Sequence, residues 1–130
     1  MKKILVADVP QMDGRYSAAL AGWEVALART LAQARHALEA GPVDLVAIGV
    51  YFDDSQMFDL LRTIRAHEIH SEVPVVCVRG QPGFTAVSGR TLEMTVKALA
   101  ADSFIDLLHF RDEAAGNAAL RAAVAQLLKD

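Results

Sequence analysis

The chain has little of what several functional classes require. Its one cysteine, Cys77, cannot form an internal disulfide, and a position within the apolar run 75–78 favours a small buried side chain over a reactive thiol. The net charge of −3 offers no basic excess for nucleic-acid phosphates. No apolar run approaches the roughly 18 residues that a membrane span needs. These absences predict a cytoplasmic protein that binds neither nucleic acid nor membrane.

What the chain does have is a large apolar share, 53% of 130 residues, which suffices for one domain over residues 1–130. Apolar runs bounded by proline, glycine and polar residues predict strands. Apolar residues at helical spacing predict helices. The predicted strands are 3–9, 23–28, 43–51, 74–78 and 103–108; the predicted helices are 12–21, 30–40, 55–67, 90–101 and 113–128; a Gly-rich loop is predicted over 79–89.

Strands that alternate with helices predict a parallel sheet with right-handed crossovers and helices on both faces. We therefore expect an α/β, flavodoxin-like, three-layer (βα)5 fold whose five-stranded sheet has the order 2-1-3-4-5. The working site of such a fold lies at the carboxyl ends of the strands, near the reversal between strands 1 and 3. Asp8, Gly49 and Arg79 lie at the carboxyl ends of predicted strands 1, 3 and 4.

Several segments resemble the receiver domain of bacterial response regulators. Residues 4–8 (Ile-Leu-Val-Ala-Asp) resemble the first receiver strand with its acidic end. Residues 44–49 and 58–65 resemble the third strand and its helix, and residues 73–78 and 101–105 resemble the fourth strand and the approach to the fifth. The resemblance extends from residue 4 to residue 128 and implies a role in two-component or phosphorelay signal transduction.

The residues that carry receiver chemistry are nearly all replaced in this chain. The resemblance assigns Asp8 and Val9 to the two metal-binding acids, Gly49 to the phosphoacceptor aspartate, Arg79 to the hydroxyl residue after strand 4, Leu107 to the conserved lysine, Leu108 to the following proline and Phe104 to the switch aromatic. We therefore expect a degenerate phosphoacceptor pocket, no metal and no cofactor. With Asp8 left as the one acid of its pair, we also expect an Asp8–Arg79 ion pair across the strand ends.

Other polar residues predict no catalysis. Asp53 and Asp54 follow strand 3 and are expected to cap the helix that begins near Ser55, rather than to accept a phosphoryl group. His67 and His70 have a chelating spacing without a nearby third ligand. No serine or cysteine pairs with a histidine in a recognisable nucleophile arrangement, so the chain is predicted not to be an enzyme.

The leading hypothesis is a pseudo-receiver, an interaction module that acts independently of phosphorylation. The resemblance implies a protein partner (a histidine kinase, an output protein or a second copy, hence a possible homodimer) on the face of helix 4, strand 5 and helix 5, where Leu108 and Phe110 are candidate exposed residues. One alternative is a small-molecule sensor that uses the space left by Gly49. A less favoured alternative is a receiver with a displaced phosphoacceptor.

Overall fold

A computed structural model describes residues 1–81 and 88–129, so residues 82–87 of the predicted Gly-rich loop lie outside the described part. The strands are β1 (Lys3–Ala7), β2 (Glu24–Ala28), β3 (Leu45–Gly49), β4 (Val75–Arg79) and β5 (Ser103–Asp106). The helices are α1 (Asp13–Ala19), α2 (Leu31–Ala40), α3 (Met57–Ala66), α4 (Gly89–Ala98) and α5 (Glu113–Leu128), with shorter helical turns at Pro10–Met12, Phe52–Ser55 and Leu107–His109.

The five strands form one parallel sheet of order β2-β1-β3-β4-β5, which confirms the predicted fold class and strand order. Three strands are shorter than predicted at their carboxyl ends: β1 ends at Ala7, β3 at Gly49 and β5 at Asp106. The apolar residues that follow β5 are not strand, because Leu107–His109 turn into a 3-10 helix. Hydrophobicity alone does not separate a strand from a buried turn that continues it.

The sheet is buried on both faces by two apolar layers. On one face, Leu5, Val46 and Cys77 pack with α2 and α3, and on the other, Ile4, Ala47 and Val76 pack with α1 and α5. Successive strand residues point to opposite faces, so a continuous apolar run fills both layers. Within the described ranges no helix combines the length and the hydropathy needed to cross a membrane.

A left-handed turn follows β3. Asp53, Asp54 and Ser55 have φ values of 44°, 54° and 67°, a region that non-glycine residues seldom adopt. The Asp53 carboxylate accepts a hydrogen bond from the Leu31 amide at 2.8 Å and so caps the first turn of α2. The prediction that these acids cap the helix after β3 is wrong, because α3 begins after Gln56 without a side-chain cap. The turn instead joins β3 to a helix distant in sequence.

A pair of histidines closes the segment between α3 and β4. His70 is buried; its Nε2 accepts from the Val43 amide at 3.2 Å, and its Nδ1 lies 3.1 Å from Nδ1 of His67. A nitrogen that accepts from an amide carries no proton, so neutral His70 donates from Nδ1 to His67. Burial, with a smaller contribution from His67, lowers the pKa of His70 below its ordinary value of 6.5.

The lowered pKa of His70 predicts acid sensitivity. The unfolded chain binds a proton at His70 more tightly than the folded chain does. The contribution of neutral His70 to the free energy of unfolding is therefore fully present above pH 6.5 and is lost as pH falls through the folded-state pKa. We expect a urea titration series from pH 7.5 to pH 5 to show a smaller loss of stability in His70→Gln than in wild type. His36→Gln, at an exposed helix position, should keep the wild-type slope. If all three proteins lose the same amount of stability as the pH falls, His70 is not the source of the acid sensitivity.

Candidate functional site

Asp8 lies at the carboxyl end of β1 and is 4% exposed. Its Oδ2 accepts a hydrogen bond of 2.6 Å from the Tyr16 hydroxyl, and its Oδ1 accepts from the Val9 amide at 2.7 Å. Burial raises the pKa of Asp8 above its ordinary value, although both hydrogen bonds and the charge of Arg29 oppose that change. Burial also raises the pKa of Tyr16 well above its ordinary value, so the phenol stays a donor.

The Asp8 carboxylate fills the place of a side chain at position 49. A Cβ built on Gly49 would overlap both carboxylate oxygens of Asp8. Gly49 is the last residue of β3, with Cys77 and Val78 on the neighbouring strand buried beside it. The residue that the resemblance assigns to the phosphoacceptor therefore lacks both a nucleophile and the volume for one.

Arg29, at the end of β2, is the cation nearest to Asp8 in the hydrogen-bond network. Its Nη1 donates to the Asp8 carbonyl oxygen at 3.1 Å, and its Nη2 donates to Asp13 Oδ2 at 2.5 Å. The guanidinium thus ties the first turn of α1 to the carboxyl ends of β1 and β2. Charge-assisted contacts of this kind fix orientation as well as add energy.

The predicted Asp8–Arg79 ion pair is wrong. Arg79 pairs with Asp106, its neighbour in the β4–β5 register, through Nη2–Oδ2 at 2.5 Å and Nε–Oδ1 at 3.2 Å. Both side chains are largely buried, and the hydrogen bonds to Asp106 raise the pKa of Arg79. Asp106 also accepts from the Leu108 amide at 3.1 Å, so one carboxylate holds the end of β4 and the turn after β5 together.

The other predicted positions divide between core and surface. Leu107 is 4% exposed in the apolar layer on the α1–α5 face, where Val9 packs at the edge. Phe104 is half-buried against the opposite layer. Leu108 and Phe110 are 45% and 37% exposed, so the side chains chosen from the sequence do face solvent. Leu107, which the resemblance assigns to the conserved lysine, is therefore part of the core rather than of a polar site.

The residues at this edge do not fit a divalent cation. Mg²⁺ is held by clustered carboxylates and carbonyl oxygens. Here both oxygens of Asp8 already accept hydrogen bonds, Val9 stands in the second acid's place, and Gly49 has no side chain. In residues 1–81 and 88–129, histidine, cysteine, aspartate and glutamate form no group of three that could hold a metal ion. Burial raises the pKa of Cys77 to about 12, so it supplies no thiolate at neutral pH.

A groove of about 1070 Å³ lies between α4 and the end of β5. Met94, Phe104 and Phe110 supply its apolar lining, and Met94 is 64% exposed. The Arg79–Asp106 pair forms one end of the groove, where a Cβ on Gly89 would come within 2.5 Å of Asp106 Oδ2. The groove therefore lies directly beside the strand ends.

Sequence reasoning missed three residues of this site: Tyr16, Arg29 and Asp106. Tyr16 had a usable signal, because Met12, Tyr16 and Leu20 recur at intervals of four and all three are buried. That spacing directs Tyr16 inward from the first helix toward the end of β1. Arg29 and Asp106 carry no such signal, since their partners depend on where β2 and β5 end.

Asp8→Asn tests the charge state of this carboxyl. The raised pKa of Asp8 means that the folded state binds the Asp8 proton more tightly than the unfolded state does. The contribution of protonated Asp8 to the free energy of unfolding is therefore fully present below pH 3.8 and is lost as pH rises through the folded-state pKa. We expect Asp8→Asn to be at least as stable as wild type at pH 8, with the advantage shrinking toward pH 4 in urea titrations. If Asp8→Asn is less stable than wild type at pH 8 and the difference disappears in acid, the pKa of Asp8 is lowered rather than raised in the folded state.

No protein-family model matches the chain, and no curated protein matches it in sequence, whereas many solved structures do match its fold. A response regulator from Hahella chejuensis superposes with a TM-score of 0.80 at 16% identity, over 98% of this chain and 96% of that chain. The phosphorylated cyanobacterial phytochrome response regulator RcpA gives 0.78 at 17%, over 98% and 94%. The receiver domain of the Pseudomonas aeruginosa sensor histidine kinase PA1611, solved with magnesium coordinated in its active-site cleft, gives 0.74 at 19%, over 99% and 98%.

These likenesses define the class of the fold. The chain has the fold of response-regulator receiver domains along almost its whole length, which confirms the resemblance seen in the sequence. The identities are low, so the likeness is one of fold, and the chemistry has to be argued from the residues at the strand ends.

Proposed function

We propose that this chain is a phosphorylation-independent interaction module built on a receiver scaffold, with a place in two-component or phosphorelay signalling. The observation that carries the proposal is the overlap between the Asp8 carboxylate and any side chain at Gly49. Transfer to an aspartate needs an acceptor carboxylate, and stabilisation of the transferring group needs a cation or an amine nearby. Gly49 and the buried Leu107 offer neither.

Acetyl phosphate with Mg²⁺, followed by intact mass measurement, tests the phosphorylation part of the proposal. We expect no added phosphoryl mass under conditions that modify a receiver domain with its acidic residues intact, run as a positive control. A stoichiometric phosphoryl adduct would overturn the proposal. An adduct on Asp53 or Asp54, located by peptide mapping, would instead support the displaced-acceptor hypothesis.

The geometry at Gly49 argues against the small-molecule sensor hypothesis. It required the missing side chain to leave space for a ligand, whereas the Asp8 carboxylate, held by Tyr16, takes that space. A ligand there would have to displace a buried, doubly hydrogen-bonded group.

The partner surface we propose is the groove between α4 and β5. Exposed Met94 and Phe110 place apolar area in the groove beside the Arg79–Asp106 pair, and Arg90 adds an exposed cation at the rim. Leu108 is exposed but does not line the groove. An apolar centre with a charged rim is the usual anatomy of a protein interface. The chemistry fits a partner segment with apolar side chains and an acidic flank.

Affinity capture from the source cell with two matched variants tests this surface. Met94→Glu places a charge in the groove, and Ile69→Glu places the same charge at a residue of similar exposure, 61% against 64%, outside it. We expect Met94→Glu to reduce recovery of bound proteins at least tenfold and Ile69→Glu to leave it unchanged. Equal recovery by both variants would exclude the groove as the partner surface.

A further inference from the structure

The outer side of β2 is an unpaired sheet edge. β2 is the last strand on its side of the sheet, and the Glu24 amide donates to Lys2 while the Asp8 amide donates to Ala28. Residues 24, 26 and 28 therefore face β1, and the N–H and C=O groups of Val25 and Leu27 face outward. Among the described residues, nothing hydrogen-bonds to those outward groups. An exposed row of this kind is a template for another strand.

The side chains along this edge are apolar and partly exposed. Val25 and Leu27 lie on the same sheet face as Ile4 and Val6, and they are 36% and 49% exposed. A cavity of about 360 Å³ between α1 and β2 continues the apolar surface to Leu20 and Trp23.

A second copy of β2 complements this edge when it runs antiparallel. With a two-fold axis at Ala26, Val25 of each copy lies opposite Leu27 of the other, and both residues can exchange N–H···O bonds. Ala26 meets Ala26 at the axis, where its small side chain allows close approach. Apolar pairs directly opposite one another are the favourable cross-strand combination.

The charges at the two ends of the strand agree with this arrangement. In this register Glu24 lies opposite Ala28, so its carboxylate faces no other charge across the interface. Trp23 lies opposite Arg29, whose guanidinium is held within its own copy by the Asp8 carbonyl oxygen and by Asp13. No like charges are brought directly opposite one another along 23–29.

We propose that β2 is a self-pairing edge, through which two copies of this chain form an antiparallel β2–β2 dimer with a continuous sheet. β2 and β5 are opposite edges of the sheet, so the dimer leaves the groove beside β5 open on both copies. A dimer of this form carries two partner grooves at its two ends. Its interface is therefore separate from the surface proposed above for other proteins.

Sedimentation equilibrium over a concentration series tests the pairing. We expect a reversible dimer in wild type, at least tenfold weaker in Leu27→Lys, because lysine on an edge strand opposes pairing. Leu108→Lys is the matched control: it makes the same change at similar exposure, 45%, beside the opposite edge, and should leave dimerisation unchanged. A monomer at all concentrations up to about 1 mM, or a dimer lost in Leu108→Lys alone, would overturn the proposal.

Cysteine cross-linking tests the register independently. Directly opposed residues that do not exchange backbone hydrogen bonds have Cα atoms about 4.5 Å apart, within the range of a disulfide. Ala26→Cys should therefore give an oxidised covalent dimer, while Ser17→Cys, exposed on α1, should not. The native Cys77 is buried and contributes no background. Cross-linking of Ser17→Cys without Ala26→Cys would show that the copies meet elsewhere.

Discussion

Replacement of Gly49 by alanine is expected to lower the free energy of unfolding by about 2–4 kcal/mol, a large cost for one methyl group. The new Cβ would occupy the position of the Asp8 carboxylate, so Asp8 has to move away from the Tyr16 hydroxyl and the Val9 amide. A buried carboxylate that loses its donors accounts for much of that cost. The φ angle of Gly49 is not positive, so alanine is compatible with the backbone there and backbone strain is not the cause. Urea or thermal unfolding monitored by circular dichroism gives the measurement.

Two further variants isolate the cause of the Gly49 effect. Gly14→Ala introduces the same methyl group in α1 with no atom within 4 Å of it, and we expect it to stabilise the chain by about 0.5–1 kcal/mol through helix propensity. In an Asp8→Ala background the cost of Gly49→Ala should fall below about 1 kcal/mol, since the overlapping carboxylate is gone. An undiminished cost in that background would show that Asp8 is not the group displaced.

The fold could be predicted because its signals are local and repeated. The apolar runs of β1, β3 and β4 are long enough to identify buried strands, and proline or glycine marks the segment boundaries at Gly22, Gly41 and Pro74. Helix α5 begins and ends where its spacing predicts, at Glu113 and Leu128. Strand order then follows from the handedness of crossovers and the resemblance.

The positions Asp8, Gly49 and Arg79 lie at the predicted edge of the sheet, and the absence of a side chain at Gly49 is visible in the sequence itself. The partners were not predicted correctly. The β4–β5 register puts the Asp106 carboxylate directly beside Arg79. Register between neighbouring strands is a tertiary property that the apolar pattern of either strand alone does not supply.

The conformations of Asp8, Gly49 and Arg79 at the strand ends depend on one another. Without a side chain at Gly49, Asp8 can turn inward and be satisfied by Tyr16. The Asp8 carboxylate accepts its hydrogen bonds from Tyr16 and Val9, while Arg79 pairs with Asp106. A carboxylate introduced at position 49 would meet a site already filled by Asp8. A phosphoryl-accepting site is therefore expected to need several simultaneous substitutions.

The second large effect is expected at Arg79. Arg79→Gln removes a bidentate partner from Asp106, whose side chain is 12% exposed, and should lower the free energy of unfolding by about 2–3 kcal/mol. Arg62→Gln makes the same change in the Arg62–Asp59 pair, whose side chains are 62% and 57% exposed, and should change stability by less than about 0.5 kcal/mol. Urea titrations of the two variants at pH 7 provide the comparison.

A double-mutant cycle with Asp106→Asn separates the ion pair from the other contacts of Arg79. Asparagine at position 106 still accepts from the Leu108 amide but carries no charge, so Arg79→Gln should cost less than about 1 kcal/mol in that background. The pair lies at the end of the α4–β5 groove, with Gly89 packed against Asp106, so its loss should also weaken partner capture. If Arg79→Gln is equally costly with aspartate and asparagine at position 106, Arg79 stabilises this edge through a different contact.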